Sequence, residues 1–341
     1  MLSGLDTKLL RDLRRMKGQV ASVAVVMACG LSMMVSSRSL IRSLEFTRAE
    51  FYHAYRFADV FGHLKRAPAW VGSRIAAIPG VAVVQTGISV QATLDLQDVD
   101  EPATGNVRSV PDDGALELNR LCLRSGQWLS PGGRGEVLVG EAFADANRLR
   151  PGDSIAMLLN VRRQLLRIAG LVLSPEFVFT ARQGAALPDD RTFGTFWMSY
   201  PELARAFDLD GAFNFLAVTL EPDAGERAVI RGIDELLRPY GGKGAFGRLD
   251  HPSHIRVSDE IRILVVLSIG FPLIFLSVAA FMTNAVLSRL LNLQREQIAI
   301  LKAFGFHNRQ VVLHYLKFAL VMVALGTALG GLGGLAVGHR I

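Results

Sequence analysis

Three long stretches without charged residues divide the 341-residue sequence. No charge occurs between Lys17 and Arg38, and two further uncharged stretches run over 263–288 and 318–338. Because a helix rises about 1.5 Å per residue and the hydrocarbon core of a bilayer is about 30 Å thick, each stretch can cross a membrane. We therefore predict three transmembrane helices, at 18–40, 259–288 and 311–338.

The first stretch has an alternative interpretation as a cleaved signal sequence. Residues Val26-Met27-Ala28-Cys29 resemble a lipoprotein cleavage site. However, the apolar stretch continues beyond Cys29, and methionine is unusual at position 27 of such a site. A retained transmembrane helix is the favoured interpretation.

Basic residues flank the apolar stretches unevenly. Five precede the first stretch, three follow it, and four separate the second from the third, in addition to Lys317, which directly precedes the third and can extend back to the membrane surface. In that order they are Lys8, Arg11, Arg14, Arg15 and Lys17; Arg38, Arg42 and Arg48; and Arg289, Arg295, Lys302 and Arg309. Lys and Arg are enriched on the cytoplasmic side of membranes. We expect the amino terminus and residues 289–310 in the cytoplasm, and residues 41–258 outside it.

The segment 41–258 mixes helical and strand patterns. Helical spacing of apolar residues up to Tyr55 predicts that the first span continues outward as a stalk. We predict strands at 59–65, 81–96, 136–140, 154–159, 164–172 and 215–220, and helices at 68–78, 141–149 and 224–240. Residues 97–114, rich in Asp, Pro and Gly, predict an exposed loop, and 241–247 a glycine-rich break. The predicted fold class is an α-helical membrane protein with a large mixed α+β extracytoplasmic domain inserted between its first and second spans.

The first 17 residues predict a basic amphipathic helix. Apolar residues recur at helical spacing opposite the basic ones: Leu2, Leu5, Leu9, Leu13 and Met16. Such a helix is expected to lie at the membrane surface. A plain basic segment that sets the membrane orientation explains the charges equally well.

Composition supports a membrane protein and excludes several other classes. The chain is 50% hydrophobic with a mean hydropathy of +0.31. Its net charge of +6 does not indicate nucleic-acid binding, because the basic residues cluster beside apolar stretches and are not interleaved with aromatic ones. The two cysteines, Cys29 and Cys122, exclude a disulfide framework and a cysteine zinc cluster.

Motifs for ATP hydrolysis and for common hydrolases are absent from the sequence. Gly241-Gly-Lys-Gly244 lacks the spacing and the hydroxyl of a phosphate-binding loop. His251 and His254 are the closest histidine pair, but they straddle a proline, and we predict no metal site there. We predict no catalytic residue and no cofactor bound by this chain.

A short amphipathic segment separates the second and third stretches. Its helical spacing places Ile298, Leu301, Ala303 and Phe304 in an apolar patch flanked by charges, and Gly305 is expected to end the helix. Such a helix can lie flat among lipid headgroups or present its patch to a groove in a partner protein. The residue types alone leave both uses open.

The same segment resembles a known family. The motif Arg295-Glu296-x-Ile298-x-Ile300-Leu301-Lys302-Ala303-x-Gly305 is similar to the one between the second and third spans of FtsX-like, or MacB-type, ABC permeases. The order of parts is also similar, and the segment from Gly140 to Asp153 resembles the periplasmic core domain of that family. The resemblance implies an ATPase-coupling helix within 289–310, formed by Arg295, Glu296, Ile298, Ala299, Leu301, Lys302, Ala303 and Gly305.

The resemblance further implies a noncatalytic permease subunit in the cell (inner) membrane. Its partners would be an ABC ATPase that uses ATP and Mg²⁺, a second permease copy or half, the lipid bilayer and a periplasmic adaptor, with no nucleic acid. The work done would be export, extraction or mechanical action. The family normally has a fourth span, so a chain ending at Ile341 is expected to be truncated or to be half of a two-repeat permease.

Glycine recurs every fourth residue in the third stretch, at Gly326, Gly330, Gly334 and Gly338. This spacing leaves one helix face without side chains and predicts close packing against another helix. The general glycine richness of membrane helices is the alternative explanation.

Two further functions stay open beside the permease. A membrane-anchored ligand sensor would bind its ligand in the extracytoplasmic domain, but it would need a cytoplasmic output domain, and the predicted inner loop 289–310 is short. A membrane-anchored enzyme would place its active site in the same outer domain, although the common catalytic motifs are missing.

Overall fold

The structure is a computed structural model that describes residues 4–95, 103–111, 115–179 and 189–338. The chain divides into two compact units. The helical unit comprises Met1–Thr47 and Glu260–Ile341, and the inserted domain comprises Arg48–Asp259. The described helices are α1 (Gly4–Arg15), α2 (Lys17–Ala54), α3 (Trp70–Ala76), α4 (Glu141–Ala146), α5 (Tyr200–Phe207), α6 (Glu226–Leu237), α7 (Pro252–Leu293), α8 (Arg295–Ala303) and α9 (Asn308–Gly338).

Three of these helices, α2, α7 and α9, are long and apolar enough to cross a membrane. This confirms the predicted fold class of three spans with a mixed domain inserted between the first and the second. At about 1.5 Å per residue, the 38 residues of α2 and the 42 of α7 measure about 57 and 63 Å. Both helices are therefore about twice as long as a hydrocarbon core of about 30 Å requires.

The amino-terminal helix α1 packs its apolar stripe on the other helices of the helical unit. Leu9 is buried, and Leu13 and Met16 are partly buried against the same cluster. Leu2 and the side chain of Leu5 lie outside the described residues. The buried members of the cluster are Leu9, Val20, Val23, Leu290, Tyr315, Phe318 and Met322. The apolar stripe of α1 thus contributes to a protein core in addition to any contact with lipid.

The described strands of the inserted domain are β1 (Val60–Pro68), β2 (Val81–Gly87), β3 (Ser89–Asp95), β4 (Ala103–Val110), β5 (Cys122–Gly126), β6 (Glu136–Gly140), β7 (Ser154–Leu159), β8 (Arg162–Leu173), β9 (Phe193–Ser199), β10 (Ala212–Leu220) and β11 (Ala245–Gly247). They form two sheets. Each sheet has its own main core, and two smaller clusters of buried residues also lie in the domain.

The first sheet is antiparallel, with the order β11-β1-β10-β2. Alternate residues of its strands point to opposite faces. On one face, Leu64 and Leu216 pack with the apolar sides of α3 and α6. On the other, Phe61, Phe215 and Ala217 form a second cluster with residues near the end of α2. Both faces of this sheet are consequently buried.

The second sheet has the order β5-β8-β6-β9-β4-β3-β7, and β7 pairs in addition with β8. The long strand β8 closes the ring: residues 162–167 pair with β7, while residues 167–173 pair with β6 and β5. Six strands therefore form a closed barrel, with β5 added outside the ring. Side chains from α4 and α5, including Phe143 and Leu203, join the strand residues of the barrel core.

Several elements differ from the sequence-based expectation. The loop predicted at 97–114 is wrong over 103–110, which form the barrel strand β4; residues 96–102 and 112–114 lie outside the described residues. The single strand region predicted at 81–96 is two strands that belong to different sheets, with the buried Ile88 between them. The glycine-rich break at 241–247 ends in β11, and β5, β9 and α5 were not predicted. Polar and glycine residues within β4 concealed its strand pattern.

Candidate functional site

The predicted coupling residues lie on and just after α8, a nine-residue helix between two long apolar helices. Most of them are exposed: Arg295, Glu296, Ala299, Lys302, Ala303 and Gly305. Ile298 and Leu301 are only half-exposed, and Ile298 packs against the core of the helical unit. The exposed side of α8 is therefore mainly charged or small.

The predicted apolar patch is divided between two sides of α8. Ile298 faces the core, whereas Phe304 is 80% exposed. Ile300, which the pattern did not place in the patch, is 55% exposed. The exposed apolar surface thus consists of Ile300 and Phe304. Sequence periodicity could not choose between the two sides, because the inward side is set by helices distant in sequence.

Gly305 ends the segment in the way that its sequence position predicts. Its φ of 86° lies in the left-handed region, and its N–H donates to the Lys302 carbonyl at 3.0 Å. The N–H of Phe306 donates to the Leu301 carbonyl at 3.2 Å. A Cβ at position 305 would meet no atom within 4 Å, so the backbone conformation, and not the available space, favours glycine here.

Gln294, the single residue between α7 and α8, is a site residue that the sequence did not reveal. It is buried, with 8% of its surface exposed. Its side-chain amide bonds to Lys8 and Asp12 on α1 and to Tyr315 on α9. No local pattern marks it, because Lys8 and Asp12 are more than 280 positions away.

The glycine stripe of α9 lies against α2. Ideal Cβ atoms on Gly326 and Gly334 would come within 2.7 Å of Met27 Cβ and Val35 Cβ, and one on Gly330 within 2.8 Å of the Ala28 carbonyl oxygen. At Gly338 the nearest atom, Ser39 Cβ, is 3.2 Å away. The first three glycines therefore allow α2 and α9 to approach more closely than side chains would permit.

Within the inserted domain, the chain leaving α2 is held by hydrogen bonds to one arginine. The guanidinium of Arg248 donates to the carbonyl of Phe57 at 2.6 Å and to that of Ala58 at 2.9 Å. It also pairs with the Asp59 carboxylate at 2.5 Å. We call residues 55–59, together with Asn119, Glu176, Arg248 and His251, the stalk junction.

Asn119 holds the same segment from another side. Its Oδ1 accepts from the Ala58 N–H at 2.9 Å, and its own N–H donates to the Arg56 carbonyl at 2.9 Å. Its Nδ2 donates to Glu176 at 3.2 Å. Asn119 has a φ of 50°, a conformation that asparagine adopts more readily than most residues. The end of α2 is thereby connected to the segment that follows β8.

A buried ion pair between Arg108 and Glu176 adjoins the junction. The two side chains are only 7% and 6% exposed, and Arg108 Nη2 donates to Glu176 Oε1. The guanidinium carbon lies 3.5 Å from the centre of the Phe215 ring. Among the described residues, Arg108 Nε and Nη1 have no hydrogen-bond partner. Burial raises the pKa of the Glu176 carboxyl, whereas Arg108 and Asn119 act in the opposite direction.

Two histidines near this pair are kept neutral. Burial, with a further contribution from Arg108, lowers the pKa of His251 to about 3 and that of His63 to about 4. The ring of His251 packs at 4.6 Å from the ring of Phe61. No group of three or more His, Cys, Asp or Glu residues that could hold a metal is found in the part of the chain that the structure describes.

Comparison with solved structures finds weak similarity to three domains. The first is the extracellular domain of the noncanonic ABC-type transporter YknZ from Gram-positive bacteria, with 11% identity, a TM-score of 0.36, and coverage of 56% of this chain and 98% of that one. The second is the periplasmic region of MacB from Actinobacillus actinomycetemcomitans, with 10% identity, a TM-score of 0.37, and coverage of 63% of this chain and 98% of that one. The third is a domain of a putative permease protein from Porphyromonas gingivalis, with 14% identity, a TM-score of 0.34, and coverage of 59% of this chain and 89% of that one. These values are too low to establish a shared function.

Sequence comparison gives a clearer result for the carboxy-terminal part. No curated protein sequence matches the chain. The family model described as FtsX-like permease C-terminal matches residues 269–341. The matched range includes α8 and α9. The part of the chain that contains the candidate coupling helix and the glycine stripe is thus similar to the FtsX-like permease family.

Proposed function

We propose that the chain is the permease subunit of an ABC transporter of the FtsX-like or MacB type. It would couple ATP hydrolysis by a separate ATPase to export, extraction or mechanical work across the membrane. The observation that carries this proposal is the exposed surface of α8, which lies between two membrane-spanning helices inside the range that matches the family model.

The exposed side chains of α8 suit a protein groove. Ile300 and Phe304 offer apolar area, and Glu296 and Lys302 supply charges that can fix the orientation of a docked partner. The chain itself would remain noncatalytic, since its sequence has no phosphate-binding loop, and ATP and Mg²⁺ would be bound by the partner. A second permease copy or half would complete the transporter.

Motion would pass from α8 to the inserted domain through the long helices. Both α2 and α7 continue without interruption from their apolar segments to residues of the inserted domain. The hydrogen bonds of Arg248 and Asn119 at the stalk junction would transfer a displacement of α2 to the domain instead of absorbing it. In the proposed orientation, which the excess of basic residues around the apolar segments supports, the amino terminus and α8 would lie in the cytoplasm and the inserted domain outside it.

An affinity purification of the tagged chain from native membranes, followed by mass spectrometry, tests the proposal. The expected result is capture of an ATPase that has a phosphate-binding loop. Phe304→Asp and Glu296→Lys should greatly reduce the captured ATPase. Leu249→Asp, at an apolar position of the inserted domain that is 70% exposed against 80% for Phe304, should not. Leu301→Asp is a poorer probe, because the half-buried Leu301 also contributes to packing.

Two results would contradict the proposal. Full capture of the ATPase by Phe304→Asp and Glu296→Lys would show that α8 is not the docking surface. Reproducible absence of any ATPase beside the unmodified chain would favour the sensor, in which the inserted domain binds a ligand.

A further inference from the structure

The side chain of Gln294 is the meeting point of three helices at the start of α8. Lys8 Nζ donates to Gln294 Oε1 at 2.6 Å, and the Tyr315 hydroxyl donates to the same oxygen at 2.9 Å. Gln294 Nε2 donates to Asp12 Oδ2 at 2.9 Å. Lys8 and Asp12 also form an ion pair at 3.4 Å. The amide therefore accepts two hydrogen bonds and donates one, and two of the three are with α1 and one is with α9.

The surroundings make these bonds costly to break. Gln294 is 8% exposed; its N–H donates to the Leu290 carbonyl at 3.0 Å and its side chain accepts from Tyr315, and both of these residues belong to the buried cluster. A buried polar group that loses its partners is not compensated fully by water, and bonds to charged groups are stronger than neutral ones. The amide thus favours one arrangement of α1, α8 and α9 over others.

Because Gln294 directly precedes α8, its hydrogen bonds also restrict the orientation of α8. The regular helix is interrupted there: α7 ends at Leu293, α8 begins at Arg295, and Gln294 between them has a φ of −103° and a ψ of 15°. Without a side-chain contact at the junction, α8 could pivot about a single residue. The contacts of Ile298 with the core restrain one side of α8, and Gln294 restrains its first turn.

We propose that Gln294 is a positioning residue that joins α8 to α1 and α9, so that the three helices respond as one unit to a docked ATPase. This proposal rests on the proposed function, because it takes a docked ATPase as the source of the motion. It adds α1 to the coupling machinery, through Lys8 and Asp12. Docking itself depends on the exposed side of α8, so loss of Gln294 should impair the transmission of motion and spare capture of the ATPase.

Exchange of donor and acceptor provides a sharp test. Gln294→Glu places a carboxylate where the amide nitrogen faces Asp12, so two acceptors oppose each other. Adding Asp12→Asn restores a donor, because the introduced amide can donate to the introduced carboxylate while Lys8 and Tyr315 keep their acceptor. Gln297→Glu, on an exposed residue of the same helix, is the matched control for added charge.

The first measurement uses the full chain alone in lipid nanodiscs. Cys29 and Cys122 are replaced by serine, spin labels are attached at positions 11 and 299, and their separation is measured by pulsed electron paramagnetic resonance. We expect one narrow distance for the unmodified chain and for Gln297→Glu. Gln294→Glu should shift the population towards other distances about tenfold, and Gln294→Glu/Asp12→Asn should restore the narrow distance.

The second measurement uses the unlabelled chain with its captured ATPase in nanodiscs, with MgATP as the probe. Gln294→Glu should capture the unmodified amount of ATPase, yet lose the response of ATP hydrolysis to the permease. The double variant should recover it. An unchanged distance distribution in Gln294→Glu, or failure of the double variant to restore it, would overturn the proposal. Absence of any captured ATPase would instead refute the proposed function, while the distances would still decide whether Gln294 positions α8.

Discussion

Replacement of Glu176 by leucine should destabilise the inserted domain by about 3–5 kcal/mol, the usual effect of removing one partner from a buried ion pair. The Arg108 side chain is only 7% exposed, and Nε and Nη1 already lack partners among the described residues. Glu176→Leu would leave the third nitrogen, Nη2, unpaired as well and would remove the acceptor of Asn119 Nδ2. An uncompensated charge on a buried side chain is the dominant cost.

The assay follows the fluorescence of Trp197 during thermal unfolding of the full chain in detergent. Trp197 is 4% exposed, and its ring lies 5.9 Å from Phe177, the residue next to Glu176. The exposed Trp70 and Trp128 are replaced by phenylalanine so that the tryptophan fluorescence comes from Trp197 alone. For a domain of this size, about 1 kcal/mol corresponds to about 2–4 °C, so the transition should fall by roughly 6–20 °C.

A double variant separates the lost ion pair from altered packing. Arg108→Met/Glu176→Leu removes both charges and lets an apolar side chain contact the Phe215 ring, so its transition should lie well above that of Glu176→Leu alone. A fall of less than about 3 °C in Glu176→Leu would refute the reasoning, because it would mean that Arg108 is not dependent on Glu176. A double variant that unfolds at the same temperature as Glu176→Leu would also refute the reasoning.

Two other predictions concern the helix packing and the acid stability. Gly330→Leu should destabilise the helical unit by about 1–3 kcal/mol or more, because its Cβ would meet the Ala28 carbonyl oxygen at 2.8 Å. Gly331→Leu should be tolerated, because a Cβ there would have no atom within 4 Å. Equal thermal stability of the two variants in detergent would contradict this prediction. The folded-state pKa values of His251 and His63 are about 3 and about 4, below the ordinary 6.5. The stability that depends on neutral histidine should therefore be fully present above pH 6.5 and be lost as the pH falls towards 4. The loss should reach about 1.4 kcal/mol per histidine and pH unit. Denaturant midpoints that do not change between pH 7 and pH 4.5 would show that these histidines are not buried in neutral form.

The sequence predicted most reliably the structural features that depend on residues close together in the chain. The long uncharged stretches required helices in lipid, where each backbone polar group must be bonded within its own segment, and the structure has helices there. The hairpin at 154–172 also agrees with β7 and β8, since alternating apolar residues and a short turn are local signals. Gly305 adopts the left-handed backbone that its position after an amphipathic helix predicts.

Tertiary structure decided what depends on residues far apart in sequence. Strand β4 is concealed by Gly105, Asn106 and Arg108, and the pairing partner that allows Arg108 to be buried, Glu176, lies 68 positions away. The inward side of α8 and the role of Gln294 follow from α1 and α9, which local periodicity does not contain. Apolar and polar patterns therefore determined the three long helices that are apolar enough to span a membrane, but not every short helix or strand of the inserted domain. Only the packed chain decided which side of α8 is exposed and which charges are paired, because burial of a polar group is stable only where distant partners meet it.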